Sequence, residues 1–174
     1  MGLLQQYYRY NVMKSKTCCF TGHRKIPETE KPLIKERLLK AVTTLIDQGY
    51  LYFGAGGALG FDTLAAEVIL DLKNTYPQIK LILVLPCYNQ TLNWQFDDIA
   101  KFEEIKSKSD KVVYVSKQYT PNCMQKRNLH LVNNSSACIC YFTKSTGGTA
   151  YTIKYAQSRG LLILNVADNT SHYL

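Results

Sequence analysis

Strand-like and helix-like segments alternate along this chain without a break, and that alternation constrains the fold more than any other feature. "TCCFT" (17–21) is a short apolar run of strand length. After it, Leu33, Ile34, Leu38, Ala41, Val42 and Leu45 recur at helical spacing, with Pro32 in the first turn and Gly49 as the stop. The pairing then repeats. "YLYF" (50–53) precedes a helix over Asp62–Asn74, and "KLILVLP" (80–86) precedes one over Thr91–Ser109. "KVVYVS" (111–116) is followed by a helix from Asn122, and "ACICYF" (137–142) by one over Gly147–Gly160. "LLILNV" (161–166) closes the series. "KLILVLP" is apolar on both faces, as a central parallel strand must be. The expected fold class is α/β: a three-layer α/β/α sandwich around a mostly parallel sheet of about six strands.

A chain of 174 residues with a 46% hydrophobic fraction supports one domain with a full core. Residues 14–174 are expected to form it. Residues 1–13 are expected to be an extension, poorly ordered, with Met13 an ordinary start directly before the first apolar run. The longest apolar run, "LILVLP", is too short to span a bilayer. "MGLLQQYYRYNVM" has no apolar core of signal-peptide length and no Ser or Thr at its sixth position. A cytoplasmic protein with no membrane partner is expected. The six cysteines include no C-x-x-C pair, so reduced, buried thiols are expected and no metal. The net charge of +8 suits an anionic ligand, but no arginine-rich block or nucleic-acid motif stands out.

In an open parallel sheet, ligands bind beyond the carboxyl ends of the strands, so the residues that follow each strand carry the functional argument. "TGHR" follows the first strand with Gly22, His23 and Arg24. "GAGGALGFD" follows the second, placing four glycines within Gly54–Gly60 and Asp62 directly after. It is not the dinucleotide fingerprint, because Leu59 stands where the third glycine belongs. It is not a P-loop, because Phe61 follows Gly60. "STGGT" follows the fifth strand and puts Gly147, Gly148 and Thr149 at a helix start. Taken alone each junction is a weak signal, since a diglycine before a helix is more often a turn and Asp62 more often an N-cap. Together they line one edge with backbone donors and helix N-termini, which favours a phosphate-bearing ligand.

On the fourth of these helices Met124, Asn128 and Leu131 share a face, with Arg127 on its border. Arg127 either clamps a phosphate, the favoured reading, or pairs with a carboxylate such as Asp62. His130 is expected on the helix surface, His172 in a short tail, and Trp94 in the core or at the rim.

The ordered set "CFTGHR", "GAGGALGFDTLAAE", "LPCYNQTLNW", "YTPNCMQKRN" and "GGTAYTIKYA" resembles the YpsA-like proteins of the SLOG superfamily, which also groups DprA with the LOG phosphoribohydrolases. The resemblance runs from about Thr17 to about Val166. It implies a Rossmann-like fold, a nucleotide-derived ligand such as ADP-ribose or an NAD-related molecule, and a link to bacterial cell division. Gly22, Arg24, Gly56, Gly57, Gly60, Asp62, Arg127, Asn128, Gly147, Gly148 and Thr149 match the family's motif positions. The LOG pattern has a lysine where this chain has Asn128 and a glutamate where it has Thr152.

Three functions follow as expectations. The first is binding or sensing of a nucleotide-derived small molecule. The second is cleavage of its N-glycosidic or phosphate bond, for which Asp62 and Glu67 are the candidate carboxylates. The third is DprA-like binding of single-stranded nucleic acid. A homodimer is a further expectation.

Overall fold

A computed structural model describes residues 2–167. The strands are β1 (Thr17–Gly22), β2 (Tyr52–Ala55), β3 (Lys80–Leu85), β4 (Lys111–Tyr114), β5 (Ala137–Tyr141) and β6 (Leu162–Asn165). The helices are α1 (Leu3–Ser15), α2 (Lys31–Asp47), α3 (Phe61–Leu72), α4 (Phe96–Lys108), α5 (Cys123–Asn133) and α6 (Gly148–Ser158). All strand pairs are parallel, in the order β4-β3-β2-β1-β5-β6.

This order follows from the handedness of parallel crossovers. From β1 to β4 each strand is laid outside the last, and right-handed connections keep α2, α3 and α4 on one face. The chain then returns past β1 to lay β5 and β6 on the other side, so α5 and α6 cover the opposite face. The alternation of side chains along each strand serves both layers. Phe20, Phe53, Leu81, Leu83 and Ile139 pack against α2, α3 and α4. Cys19, Val84, Cys138 and Ile163 pack against α5 and α6. On α2 the buried residues are Ile34, Leu38, Val42, Leu45 and Ile46, one stripe at helical spacing. Burying a side chain such as Leu38 stabilises the fold by about 1.5–3 kcal/mol. All six cysteines are free and buried, and Cys18, Cys19, Cys138 and Cys140 fill the sheet centre as small apolar groups.

Two elements differ from the sequence expectation. The helix expected from Thr91 begins only at Phe96, because residues 88–93 form turns, with Trp94 N–H donating to the Thr91 carbonyl at 3.0 Å. The segment 1–13, expected to be a poorly ordered extension, is helical over Leu3–Ser15. It contains no Gly or Pro after Gly2 to break the helix. No residue of α1 is buried, and Tyr10 Oη donates to the Asn133 carbonyl at 3.1 Å. His172 lies outside the described residues.

Candidate functional site

Strand order reverses between β1 and β5, and at such a point the two loops leaving the sheet part to open a crevice. His23 bridges its base. The His23 N–H donates to the Tyr141 carbonyl at 3.3 Å, and Thr143 N–H donates to His23 Nε2 at 3.0 Å. Burial, with Lys144 nearby, pushes the imidazole below its ordinary range, and the acceptor role of Nε2 requires the neutral ring. Above this base lies a cleft of about 1090 Å³. Its walls come from the β1–α2 loop, the start of α2, the end of the glycine loop, α3 and the β5–α6 loop.

Arg24, Lys25 and Lys144 stand exposed on the cleft. Several other charged residues there already have partners. Lys31 pairs with Glu28 at 2.6 Å, and Lys101 with Glu67 at 3.0 Å. Glu30 accepts a hydrogen bond from Tyr141 Oη at 3.0 Å. Of the residues expected at the site, His23, Arg24, Gly60 and Glu67 line this cleft. Lys25, Glu30, Tyr141 and Lys144 also line it and were not singled out in the sequence. Reading the whole β1–α2 loop, rather than its first four residues, would have included Lys25 and Glu30.

The glycine loop after β2 is packed from beneath. Arg127 and Asp62 are each 6% exposed. Arg127 Nη1 donates to the Gly56 carbonyl and lies 3.3 Å from Asp62 Oδ2. Asp62 Oδ2 also accepts from the Ala58 N–H at 3.3 Å. A Cβ on Gly56 would sit 1.8 Å from Arg127 Nη1, which explains the missing side chain there. Gly60, at φ +79°, brings its α-carbon against the β1 loop, where a Cβ would lie 2.3 Å from the Arg24 carbonyl oxygen. Gly22 is closed off by the Phe61 ring and Gly57 by Leu85. Burial pushes the Asp62 carboxyl up and the Arg127 guanidinium down, while the attraction between the two opposes both. Of the two arrangements open to Arg127 from the sequence, the structure shows the ion pair with Asp62. The buried stripe of α5 is Cys123, Arg127, Leu131 and Val132, so Arg127 lies inside the stripe and Asn128 at its border, the reverse of the expectation. Arg127 Nε is buried without a hydrogen-bond partner among the described residues.

The loop after β5 is built differently. Ser145, Thr146, Gly147 and Gly148 are exposed, and no atom lies within 4 Å of a Cβ placed on Gly147 or Gly148. No side chain caps α6, which leaves its first-turn N–H groups without a side-chain acceptor at the positive end of the helix dipole. Asn128 Nδ2 donates to Thr152 Oγ1 at 2.9 Å, and that hydroxyl donates to the Gly148 carbonyl at 2.8 Å. Thr152 thus ties α5 to α6. Thr149 is half-buried in the first turn. Glu67 is held by Lys101, and Asp62 lies beneath the loop, so neither carboxylate candidate stands free in the cleft.

A six-stranded parallel sheet with helices on both faces and glycine-bearing loops at its carboxyl edge defines a Rossmann-like α/β protein. The profile of the YpsA family, described as the YspA SLOG family, matches residues 18–161, and the chain belongs to this family. A UPF0398 protein of Bacillus cereus (strain G9842) is 28% identical over 130 residues, covering 73% of this chain and 71% of the relative. Among solved structures, DNA processing protein A (DprA) of Streptococcus pneumoniae superposes with a TM-score of 0.63 at 17% identity, covering 88% of this chain. This chain spans 50% of that DprA. The Helicobacter pylori DprA, whose structure describes a single-stranded DNA binding mode, gives a TM-score of 0.62 at 16% identity, with 89% of this chain and 66% of that one covered. These likenesses establish the fold. Among the described residues, no helix is long and apolar enough to cross a membrane.

Proposed function

We propose that the crevice between β1 and β5 binds a nucleotide-derived, phosphate-bearing small molecule, of which ADP-ribose or an NAD-related nucleotide is the best candidate. One observation carries this reading: the β5–α6 loop leaves a diglycine bare at an uncapped helix N-terminus, next to a cleft rimmed by Arg24, Lys25 and Lys144. Backbone donors, a helix dipole and exposed cations are what a phosphate requires, and Lys144, which lines the cleft, lies three residues before the diglycine. The volume of about 1090 Å³ leaves room for a ligand of dinucleotide size. Arg24 and Lys144 neutralise the phosphates in this reading, while Arg127, Asp62 and Asn128 position the loops around them. The role is binding or sensing, with the connection to bacterial cell division that the family resemblance implies. Mass spectrometry of small molecules released from the purified protein tests it. A nucleotide recovered in near-stoichiometric amount supports the reading. Recovery of the same molecule from a variant with Arg24 and Lys144 both replaced by Ala would count against this site.

A second reading, binding of single-stranded nucleic acid, draws on the likeness to DprA and on the cations at the cleft. Glu28, Glu30, Glu67 and Asp98 line the same cleft and interrupt the continuous basic track that a polyanion needs. The small-molecule reading is therefore preferred.

A further inference from the structure

We infer that Glu30 reads the free hydroxyl pair of a ribose beside the phosphates, so that the crevice selects nucleotides with an unmodified vicinal diol. The inference rests on the nucleotide reading of the crevice and names which nucleotides that site admits.

Glu30 stands at the start of α2, on the wall of the cleft. Its backbone is fixed on both sides. The Glu30 N–H donates to the Pro27 carbonyl at 2.9 Å, and the Glu30 carbonyl accepts from the Ile34 N–H at 2.9 Å. Its side chain is fixed by Tyr141, whose Oη donates to Glu30 Oε2 at 3.0 Å. Tyr141 is itself held at the end of β5, where it is 3% exposed. Its ring stands edge-on to His23 at 5.7 Å and stacks on Phe61 at 6.0 Å. Burial and the Glu30 carboxylate push the Tyr141 phenol above its ordinary value, so it stays a donor.

A carboxylate held in this way keeps most of its acceptor capacity. An ionised carboxylate offers about four acceptor positions, and the phenol occupies one. No cation pairs with Glu30 among the described residues, because the neighbouring Lys31 pairs with Glu28 at 2.6 Å. Glu30 therefore places an uncompensated acceptor in a cleft rimmed by Arg24, Lys25 and Lys144.

Charge narrows what it accepts from. A carboxylate repels a phosphate and attracts a hydrogen-bond donor. Arg24, Lys25 and Lys144 repel a cationic ligand, so the donor is a neutral group on an anionic molecule. That group also lies near the phosphates. The His23 N–H binds the Tyr141 carbonyl at 3.3 Å and His23 Nε2 accepts the Thr143 N–H at 3.0 Å, so Glu30, held by Tyr141, and Lys144, next to Thr143, are attached to one short stretch of the crevice base. In a nucleotide the neutral donors nearest the phosphates are the ribose hydroxyls, and the amino group of the base is farther away. Two vicinal hydroxyls match the two oxygens of one carboxylate.

Titration calorimetry tests this on the wild type, Glu30→Ala and Tyr141→Phe, with ADP, 2′,3′-dideoxy-ADP and ADP-ribose as probes. The wild type is expected to bind ADP about tenfold or more tightly than the dideoxy compound. Glu30→Ala is expected to bind the two alike, by losing affinity for ADP alone. Tyr141→Phe is expected to lose part of the same preference, because its carboxylate is present but no longer held. A purely structural role for Glu30 would weaken both compounds equally, so equal weakening overturns the inference. A wild type that binds ADP and dideoxy-ADP alike overturns it too, as does a Glu30→Ala variant that keeps the preference. So does a wild type that binds ADP-ribose but neither ADP nor its dideoxy counterpart. Each of these results leaves the crevice standing as a nucleotide site. A wild type that binds none of the three overturns both readings.

Discussion

Arg127 Nη1 and Asp62 Oδ2 lie 3.3 Å apart beneath the glycine loop, joining α5 to the first turn of α3 across 65 residues of sequence. With Arg127 Nη1 also holding the Gly56 carbonyl, the pair fixes the loop's shape from inside the protein. Removing one partner of a buried ion pair strands the other charge, at a cost of about 3–5 kcal/mol. Arg127→Ala is therefore expected to lower unfolding stability in urea by about that much. Asp62→Asn should do the same, and the double variant should cost less than the sum of the two. A loss below about 1 kcal/mol in either single variant would mean the pair does not hold the loop.

The two diglycines are expected to respond oppositely to alanine. Gly56→Ala drives a methyl group into the Arg127 guanidinium and should cost about 1–3 kcal/mol as overpacking. Gly148→Ala meets nothing within 4 Å and should leave stability unchanged or raise it by about 0.4–1 kcal/mol. In the second variant the loss should appear in ligand affinity instead. Thermal unfolding and binding measured on the same two variants would separate packing glycines from contact glycines. Equal destabilisation of both would contradict the distinction.

Much of this architecture was legible in the sequence, because period and punctuation act locally. The apolar runs of β1, β3 and β5 and the stripe of α2 are each recognisable within a dozen residues. The carboxyl edge was legible too, since β/α alternation fixes which loops share it. The use made of that edge was not. Arg127 looks the same in sequence whether it reaches a phosphate or Asp62, and the choice rests on a contact 65 residues away. Glycines that admit a neighbouring side chain and glycines that admit a ligand are likewise identical as letters. Gly56 and Gly148 are told apart only by what a Cβ would meet. α1 escaped notice because its apolar residues are interleaved with Gln5, Gln6, Arg9, Asn11 and Lys14 and make no single stripe.

His23 makes the base of the crevice sensitive to pH. Its Nε2 accepts the Thr143 N–H, and burial and Lys144 hold its pKa below the ordinary value. The unfolded chain, with a pKa near ~6.5, takes up a proton first as pH falls. The contribution of this contact is thus complete above about pH 6.5 and is lost as pH falls from there through the lower pKa of the folded chain. The imidazole resonance of His23 should titrate below pH 6.5, and the Thr143 amide should lose hydrogen-exchange protection over the same range. A midpoint above 6.5 would contradict the neutral, acceptor state.

No release of free base from AMP or from cytokinin-type monophosphates is expected. A phosphoribohydrolase must stabilise positive charge on the ribose, and a carboxylate does this best in a dry site. The position that carries glutamate in the LOG pattern is Thr152 here, with its hydroxyl shared between Asn128 and the Gly148 carbonyl. Chromatography after long incubation at high protein concentration should show background only. Turnover that disappears in Glu67→Gln or Asp62→Asn would overturn this and make that carboxylate catalytic.

The most direct test of the crevice as a nucleotide site is titration calorimetry with ADP-ribose, on the wild type and on a variant with Arg24 and Lys144 both changed to Ala. Binding is predicted for the wild type. Each lost charged hydrogen bond should weaken it by about 1.5–3 kcal/mol, roughly tenfold or more per side chain. The variant should unfold at the wild-type temperature, because both side chains are exposed. Absence of binding to the wild type across ADP-ribose and a panel of adenine nucleotides and sugar phosphates would contradict the account, as would affinity unchanged in the double variant.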